Sequence, residues 1–247
     1  MAGLASAGAL ACVALSACGS SGAASSAGPS AQALLTSALR NAVASRGVHE
    51  SVHEDGSGVS VTMTNDIGST SGRQAIDANG GHSVVIVSGG RAYFRGDAKA
   101  LAGYYQFPAT AADTFAGKWI AMRPGDPGYG DVSGAVTLAS DFGQFSLNAP
   151  LTKRAVTLPN GQRAIAIVGT EAGPTGATVP ATLFVTATGV TLPIELRAGN
   201  QQISLTVIWG DWGRPVSLAA PSGAVAFSTL GLAPGGTGSG TPAPTRV

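Results

Sequence analysis

Cysteine is nearly absent: the 247 residues hold two, Cys12 and Cys18, both close to the N-terminus. Everything downstream must therefore fold without a disulfide framework. Charge is scarce too. Charged residues make up 11% of the chain and the formal net charge is +1, so no field exists to hold a polyanion and nucleic acid is excluded as a default partner. No G-x-S-x-G turn offers a strained nucleophile. No glycine-rich loop leads from a strand into a helix to cradle phosphate, and the Gly-Gly pairs read as hairpin turns. No Lys or Arg precedes Arg40.

What is present suits one domain. A hydrophobic fraction of 44% is enough for a core, and the length fits about 200 folded residues plus tails. The 36 glycines and 14 prolines favour many short strands over long helices.

The first stretch, MAGLASAGALACVALSA, is small and apolar up to Ala17. It is shorter and weaker than the roughly 20 strongly apolar residues of a membrane-spanning helix, and it fits the apolar core of an export signal. With no basic residue ahead of it, either the initiator amine alone supplies the positive start or a start lies upstream. The stretch ends in Leu15-Ser16-Ala17-Cys18, which resembles the lipobox of bacterial lipoproteins. That resemblance implies cleavage after Ala17 and an acylated Cys18, with a membrane lipid as covalent anchor. Two or three acyl chains, at ~0.8 kcal/mol per buried methylene, anchor stably where one does not. The alternative is an ordinary secreted protein cut after Ser16, with Ala14 at the third position back. Residues 1–17 are thus expected to be a signal peptide and residues 18–30 a flexible tether. A domain over 31–230 and a disordered Gly/Pro-rich tail over 231–247 follow.

Within the domain, Ser30 can cap a helix in which Leu34, Leu35, Ala38, Leu39, Ala42 and Val43 repeat at helical spacing before Gly47 stops the run. The period then changes to two. Val59, Val61 and Met63 alternate with polar residues, Ile165 and Ile167 with alanines. Leu192, Ile194 and Leu196 alternate with Thr191, Pro193, Glu195 and Arg197, and Leu205, Val207 and Trp209 alternate with Ser204, Thr206 and Ile208. Each run predicts a strand with one apolar face. Turn sequences such as Asn79-Gly80-Gly81, Ser88-Gly89-Gly90 and Pro159-Asn160-Gly161 separate strands by gaps too short for parallel crossovers. The segments 97–105, 111–117 and 133–145 are less regular, with short helices expected. Together with the N-terminal helix they are the candidates to cover the greasy face. Incomplete cover would leave an apolar cavity lined by Val61, Met63, Ile165, Ile167, Leu205 and Val207.

Four phrases occur in order along the chain: Ala92-Tyr93-Phe94-Arg95-Gly96, Gly117-Lys118-Trp119-Ile120, Thr191-Leu192-Pro193-Ile194, and the run from Trp209 to Pro221, WGDWGRPVSLAAP. With the order of helix, meander, helical middle and second meander, the chain resembles the actinobacterial lipid-carrier lipoproteins of the LppX/LprG type, related in fold to LolA. The resemblance spans about Ala31 to Pro221. It implies a mainly β protein of the α+β class: a curved antiparallel half-barrel sheet with helices packed in its concave face and an acylated lipid bound between them.

One motif points elsewhere. His49-Glu50-Ser51-Val52-His53 has the HExxH form in which two histidines bind zinc and the glutamate activates water. On a helix four residues rise ~6 Å and bring both imidazoles to one face. On a strand they lie ~13 Å apart, too far for nitrogens each ~2 Å from one metal. Gly47 before the motif and Asp55-Gly56 after it predict a strand, and a third ligand is not evident beyond the isolated His82. The Trp209/Trp212 pair reads as core packing ahead of a sugar platform. Tyr104, Tyr105 and Phe107 read equally as a cavity mouth or as a helix end on the sheet.

The leading expectation is therefore a lipid-anchored protein on the outer face of the cell membrane that binds or transfers a lipid, with no catalysis and no cofactor or metal. A non-catalytic envelope scaffold that holds a protein partner is the alternative, followed by a zinc hydrolase using His49, Glu50 and His53.

Overall fold

The computed structural model describes residues 28–231, apart from residues 57, 135, 144 and 173–177. The expected tether cysteine, Cys18, and the tail beyond residue 231 lie outside the described residues.

The N-terminal helix α1 (Ala31–Val43) forms as its periodicity predicts, with the Ser30 hydroxyl accepting the amide of Ala33 at its start. Its buried stripe is Ala31, Leu34, Leu35, Ala38 and Ala42. Two details of the expectation are corrected. Val43 is exposed, and the helix ends at Ala44 rather than at Gly47. Gly47 instead opens a strand, where an added Cβ would lie 2.2 Å from the Arg214 carbonyl oxygen.

Two antiparallel meanders follow. The first is β1 (Gly47–Gly56), β2 (Val59–Gly68), β3 (Gly72–Ala78), β4 (Gly81–Ser88), β5 (Arg91–Gly96) and β6 (Ile120–Met122). The second is β7 (Asn148–Thr157), β8 (Arg163–Ala172), β9 (Thr178–Thr186), β10 (Pro193–Gly199) and β11 (Ile203–Gly210). Between them lie α2 (Ala98–Gly103), α3 (Ala109–Phe115), α4 (Tyr129–Gly134) and α5 (Leu138–Gly143), the short helices expected of the middle segment. Pairing of β1 with β11 fuses the meanders, with a short last strand β12 (Val225–Ala226), into one twelve-stranded sheet of order β12-β6-β5-β4-β3-β2-β1-β11-β10-β9-β8-β7. One pair departs from the all-antiparallel expectation: β12 lies parallel to β6. The sheet is open and curved and belongs to the α+β class anticipated from the sequence. Gly-rich turns fall where expected, with positive φ at Asn79 and Gly80 and at Gly89 and Gly90, the conformation of a tight hairpin.

Register puts the core on one face. Met63 lies opposite Ile76 and Val52, Val52 opposite Val207, Val207 opposite Leu196, Leu196 opposite Leu183, and Leu183 opposite Ile167. A single apolar row thus crosses seven strands, and α1 and α5 pack over it through Leu34, Leu35, Leu138 and Phe142. On the same face, further along the first meander, Val85, Phe94 and Ile120 meet Leu101, Tyr105 and Phe107.

The second meander is not one-sided. Ala164, Ala166, Phe184, Ile194 and Leu158 form a separate small core on the convex face. The expectation that Ile194 shares a face with Leu196 fails because a register shift lies between Pro193 and Glu195. An irregularity of this kind breaks the two-residue alternation.

After β11 the chain runs across one rim of the sheet. The Gly213 amide donates to the Gly47 carbonyl (2.9 Å), Ser71 Oγ to Val216 (2.7 Å), Ser88 Oγ to Leu218 (2.6 Å), and the Val225 amide to Trp119 (2.8 Å). The first three of these contacts lie at the ends of β1 through β4 and the last beside β6, so the Trp209–Pro221 phrase encodes a strap along the half-barrel's edge.

Candidate functional site

The six residues expected to line a cavity come from three strands distant in sequence, and the sheet gathers them on its concave face. Met63, Val207 and Ile167 belong to the seven-strand row. Val61 and Leu205 lie in the next row toward the hairpin rim, on either side of Glu54. Five of the six are buried in the cluster under α1 and α5, whereas Ile165 is partly buried and packs against it. Each fully buried aliphatic side chain contributes ~1.5–3 kcal/mol, so this face is the principal stabilising surface of the second meander and of β1 and β2.

A polar strip runs beside that row. Glu50 lies opposite Asn65, and Asn65 opposite Gln74, all three buried on the concave side. The Asn65 amide donates to Glu50 Oε1 (2.6 Å), and the Trp209 indole N–H donates to Glu50 Oε2 (2.7 Å). A carboxylate taken from water is costly unless several donors hold it, and these two residues supply that hold. Gln74 Nε2 reaches Met63 Sδ at 3.7 Å. Asn65 Oδ1 and Gln74 Oε1 are buried with no hydrogen-bond partner among the described residues, and the buried hydroxyls of Ser83 and Tyr105 interact with each other. Ser83 is the diagonal neighbour of Gln74 across β3 and β4. Tyr105 stacks on Phe94 at 4.3 Å between centroids, and burial pushes its hydroxyl up to about 12 against an opposing pull from Ser83.

Three further carboxyls are shifted by burial. Asp141 of α5 is pushed up to about 8 and Glu171 of β8 up to about 7, while Glu54 moves in the same direction. Glu171 is on the face that carries Ile167 and lies opposite Val179.

The HESVH motif lies in β1, as its flanking glycines predict, and the strand separates its parts. His49 pairs with Asp66 (2.9 Å) and His53 with Asp55 (2.7 Å), both half-exposed on the convex side. Glu50 points through the sheet to the concave side, where Asn65 and Trp209 hold it. The general base of the zinc reading therefore faces away from both of its ligands, and the third histidine, His82, pairs with Asp77 at the β3–β4 turn. Among the described residues, no group of three His, Cys, Asp or Glu side chains is placed to hold a metal.

The aromatic pairs resolve as packing. Phe142 contacts Trp209 at 5.7 Å and Trp212 at 5.5 Å between centroids, and the Trp212 indole donates to the Pro193 carbonyl (2.9 Å). Tyr105 and Phe107 pack on Phe94 at the end of α2, the helix-end alternative.

The polar strip escaped the sequence reading, although a signal exists. In β2 the residues Val61, Met63, Asn65 and Ile67 share one phase, and Asn65 is the polar residue in an apolar phase.

No protein-family model matches the sequence, and no curated protein does. Solved structures do. The chain resembles mycobacterial LppX and LprF. The lipoprotein LppX of Mycobacterium tuberculosis aligns over 76% of this chain and 99% of its own, at 15% identity and a TM-score of 0.49. LprF of Mycobacterium bovis aligns over 78% and 97%, at 15% identity and a TM-score of 0.48. The roles of residues in this chain rest on its own geometry.

Proposed function

We propose that the protein is an extracytoplasmic lipoprotein, anchored to the outer face of the cell membrane through an acylated Cys18, that binds or transfers a lipid between the concave sheet face and its helices. The observation that carries this reading is the apolar row from Ile76 through Val207 to Ile167. It offers one side of a lipid-length apolar surface, and the helices over it supply the other. The LSAC sequence supports the anchor. A non-covalent acylated lipid is the ligand class, and sheltering each methylene is worth ~0.8 kcal/mol, so half of a long chain supplies several kcal/mol of affinity. Binding of this kind needs no catalytic group, cofactor or metal. The test is native mass spectrometry of the full chain purified from membranes in mild detergent, with lipid extraction in parallel. A stoichiometric non-covalent lipid adduct beyond the covalent anchor is expected. Its absence, with no uptake of added fatty acid or phospholipid, would favour a non-catalytic envelope scaffold whose concave face is a dry core.

A further inference from the structure

The polar strip asks for a ligand group of its own. Its Asn65 and Gln74 lie between two apolar rows of the concave face, and Ser83 continues the first of these rows beyond Ile76. On one side is the row through Met63, Val52 and Val207; on the other, Val48 lies opposite Ile67, Ile67 opposite Gly72 and Gly72 opposite Val87. Buried polar atoms in folded proteins are almost always hydrogen-bonded, and leaving one unmet costs more than the bond itself contributes. Here Asn65 Oδ1 and Gln74 Oε1 have no partner among the described residues, and the hydroxyls of Ser83 and Tyr105 beside them interact with each other; all belong to one side of adjoining strands or to the helix end packed on them. The orientation of Asn65 follows from its neighbour. The amide nitrogen must face the Glu50 carboxylate, which leaves Oδ1 as an acceptor directed elsewhere.

We infer that the strip of Asn65, Gln74, Ser83 and Tyr105 recognises a hydroxyl group set within the hydrocarbon chain of a lipid ligand. This rests on the lipid-binding reading above. A hydroxyl donates once and accepts twice, so it can donate to one of the carbonyl acceptors, Asn65 Oδ1 or Gln74 Oε1, and accept from the rotatable hydroxyls of Ser83 and Tyr105, which can turn to serve the other. An ammonium would bring a second charge to desolvate beside Glu50, which already has two strong donors. A terminal headgroup would sit at a rim of the half-barrel, whereas Asn65 and Gln74 are flanked by apolar rows on both sides. The site therefore matches hydrocarbon, then hydroxyl, then hydrocarbon.

The test uses the full-length chain in mild detergent and tritiated octadecanoate, displaced either by unlabelled octadecanoate or by 12-hydroxyoctadecanoate. The hydroxylated probe is expected to compete about fivefold better, the factor that one net hydrogen bond of about 1 kcal/mol makes. In Gln74→Met, which keeps the side-chain volume and removes the unmet acceptor, the preference should shrink toward unity without a lower melting temperature. Tyr105→Phe should reduce it as well and serves if the first variant folds poorly. Equal competition by both probes in the wild type would overturn this inference and leave lipid binding standing. A preference that survives both substitutions would overturn the assignment to the strip. If neither probe displaces the label because the label itself does not bind, the lipid-binding reading fails and the inference falls with it.

Discussion

Trp209 and Glu50 meet across the β1–β11 pair, where the indole N–H donates to Glu50 Oε2 at 2.7 Å although 159 residues separate them in the chain. This bond joins the two meanders at the seam between them in the strand order. It also supplies one of the donors, with the Asn65 amide, that make a buried carboxylate tolerable there.

Trp209→Phe keeps an aromatic ring against Phe142 but removes that donor. A hydrogen bond to a charged group contributes ~1.5–3 kcal/mol, so urea unfolding should show a loss of about 2–3 kcal/mol with an unchanged slope. Ile208→Thr, on the exposed face of the same strand, should change stability by less than ~0.5 kcal/mol. Equal losses in the two variants would show that the seam is not special.

Stability should depend on pH in a direction opposite to ordinary acid denaturation. An unfolded carboxyl titrates near ~4, whereas burial raises Asp141 to about 8 and Glu171 to about 7. The folded state then binds protons more tightly than the unfolded state between those limits. The contribution is fully present below ~4 and is lost as pH rises through about 7 and about 8. Melting temperature is expected to be higher at pH 5 than at pH 8.5, with the gap reduced in Asp141→Asn. A melting temperature that climbs over this range in the wild type would contradict the assignment.

Tryptophan substitutions distinguish a lipid-holding face from a dry one. Ile167 is fully buried, and Ile165, two residues earlier on the same face, is only partly so. Overfilling a packed position costs ~1–3 kcal/mol. Ile167→Trp should show that loss, while Ile165→Trp should remain within ~1 kcal/mol of the wild type and capture less lipid. Retained lipid capture in a stable Ile165→Trp protein would remove this position from the binding surface.

Cys18→Ala checks the anchor. The substituted protein should leave the membrane fraction or accumulate unprocessed, and it should lose incorporation of labelled palmitate. Identical partitioning of both forms without label in either would replace the lipoprotein with an ordinary secreted protein.

How much of this was legible before folding depends on the range of each interaction. The α1 stripe and the alternation of Leu205, Val207 and Trp209 against Ser204, Thr206 and Ile208 repeat within a few residues, and so do the turns at Asn79-Gly80 and Gly89-Gly90. Each is written by local backbone preference. The glycine before HESVH and the Asp55-Gly56 turn after it likewise put the motif on a strand, which alone parts Glu50 from its histidines. The convex core around Ile194 was not legible, because a one-residue shift in pairing changes which face a side chain joins. Nor was the strap, whose hydrogen bonds from Ser71 and Ser88 reach residues 145 and 130 positions away.

By itself, then, the sequence determined the element types, most turns and the apolar phase of most strands, all properties of neighbours along the chain. Only the tertiary structure decided that Trp209, Glu50, Asn65 and Gln74 form one strip and that Val61, Ile167 and Val207 share one concave face. Those placements depend on the register of strands distant in sequence, which is set by burial summed over the whole sheet and not by any residue's immediate neighbours.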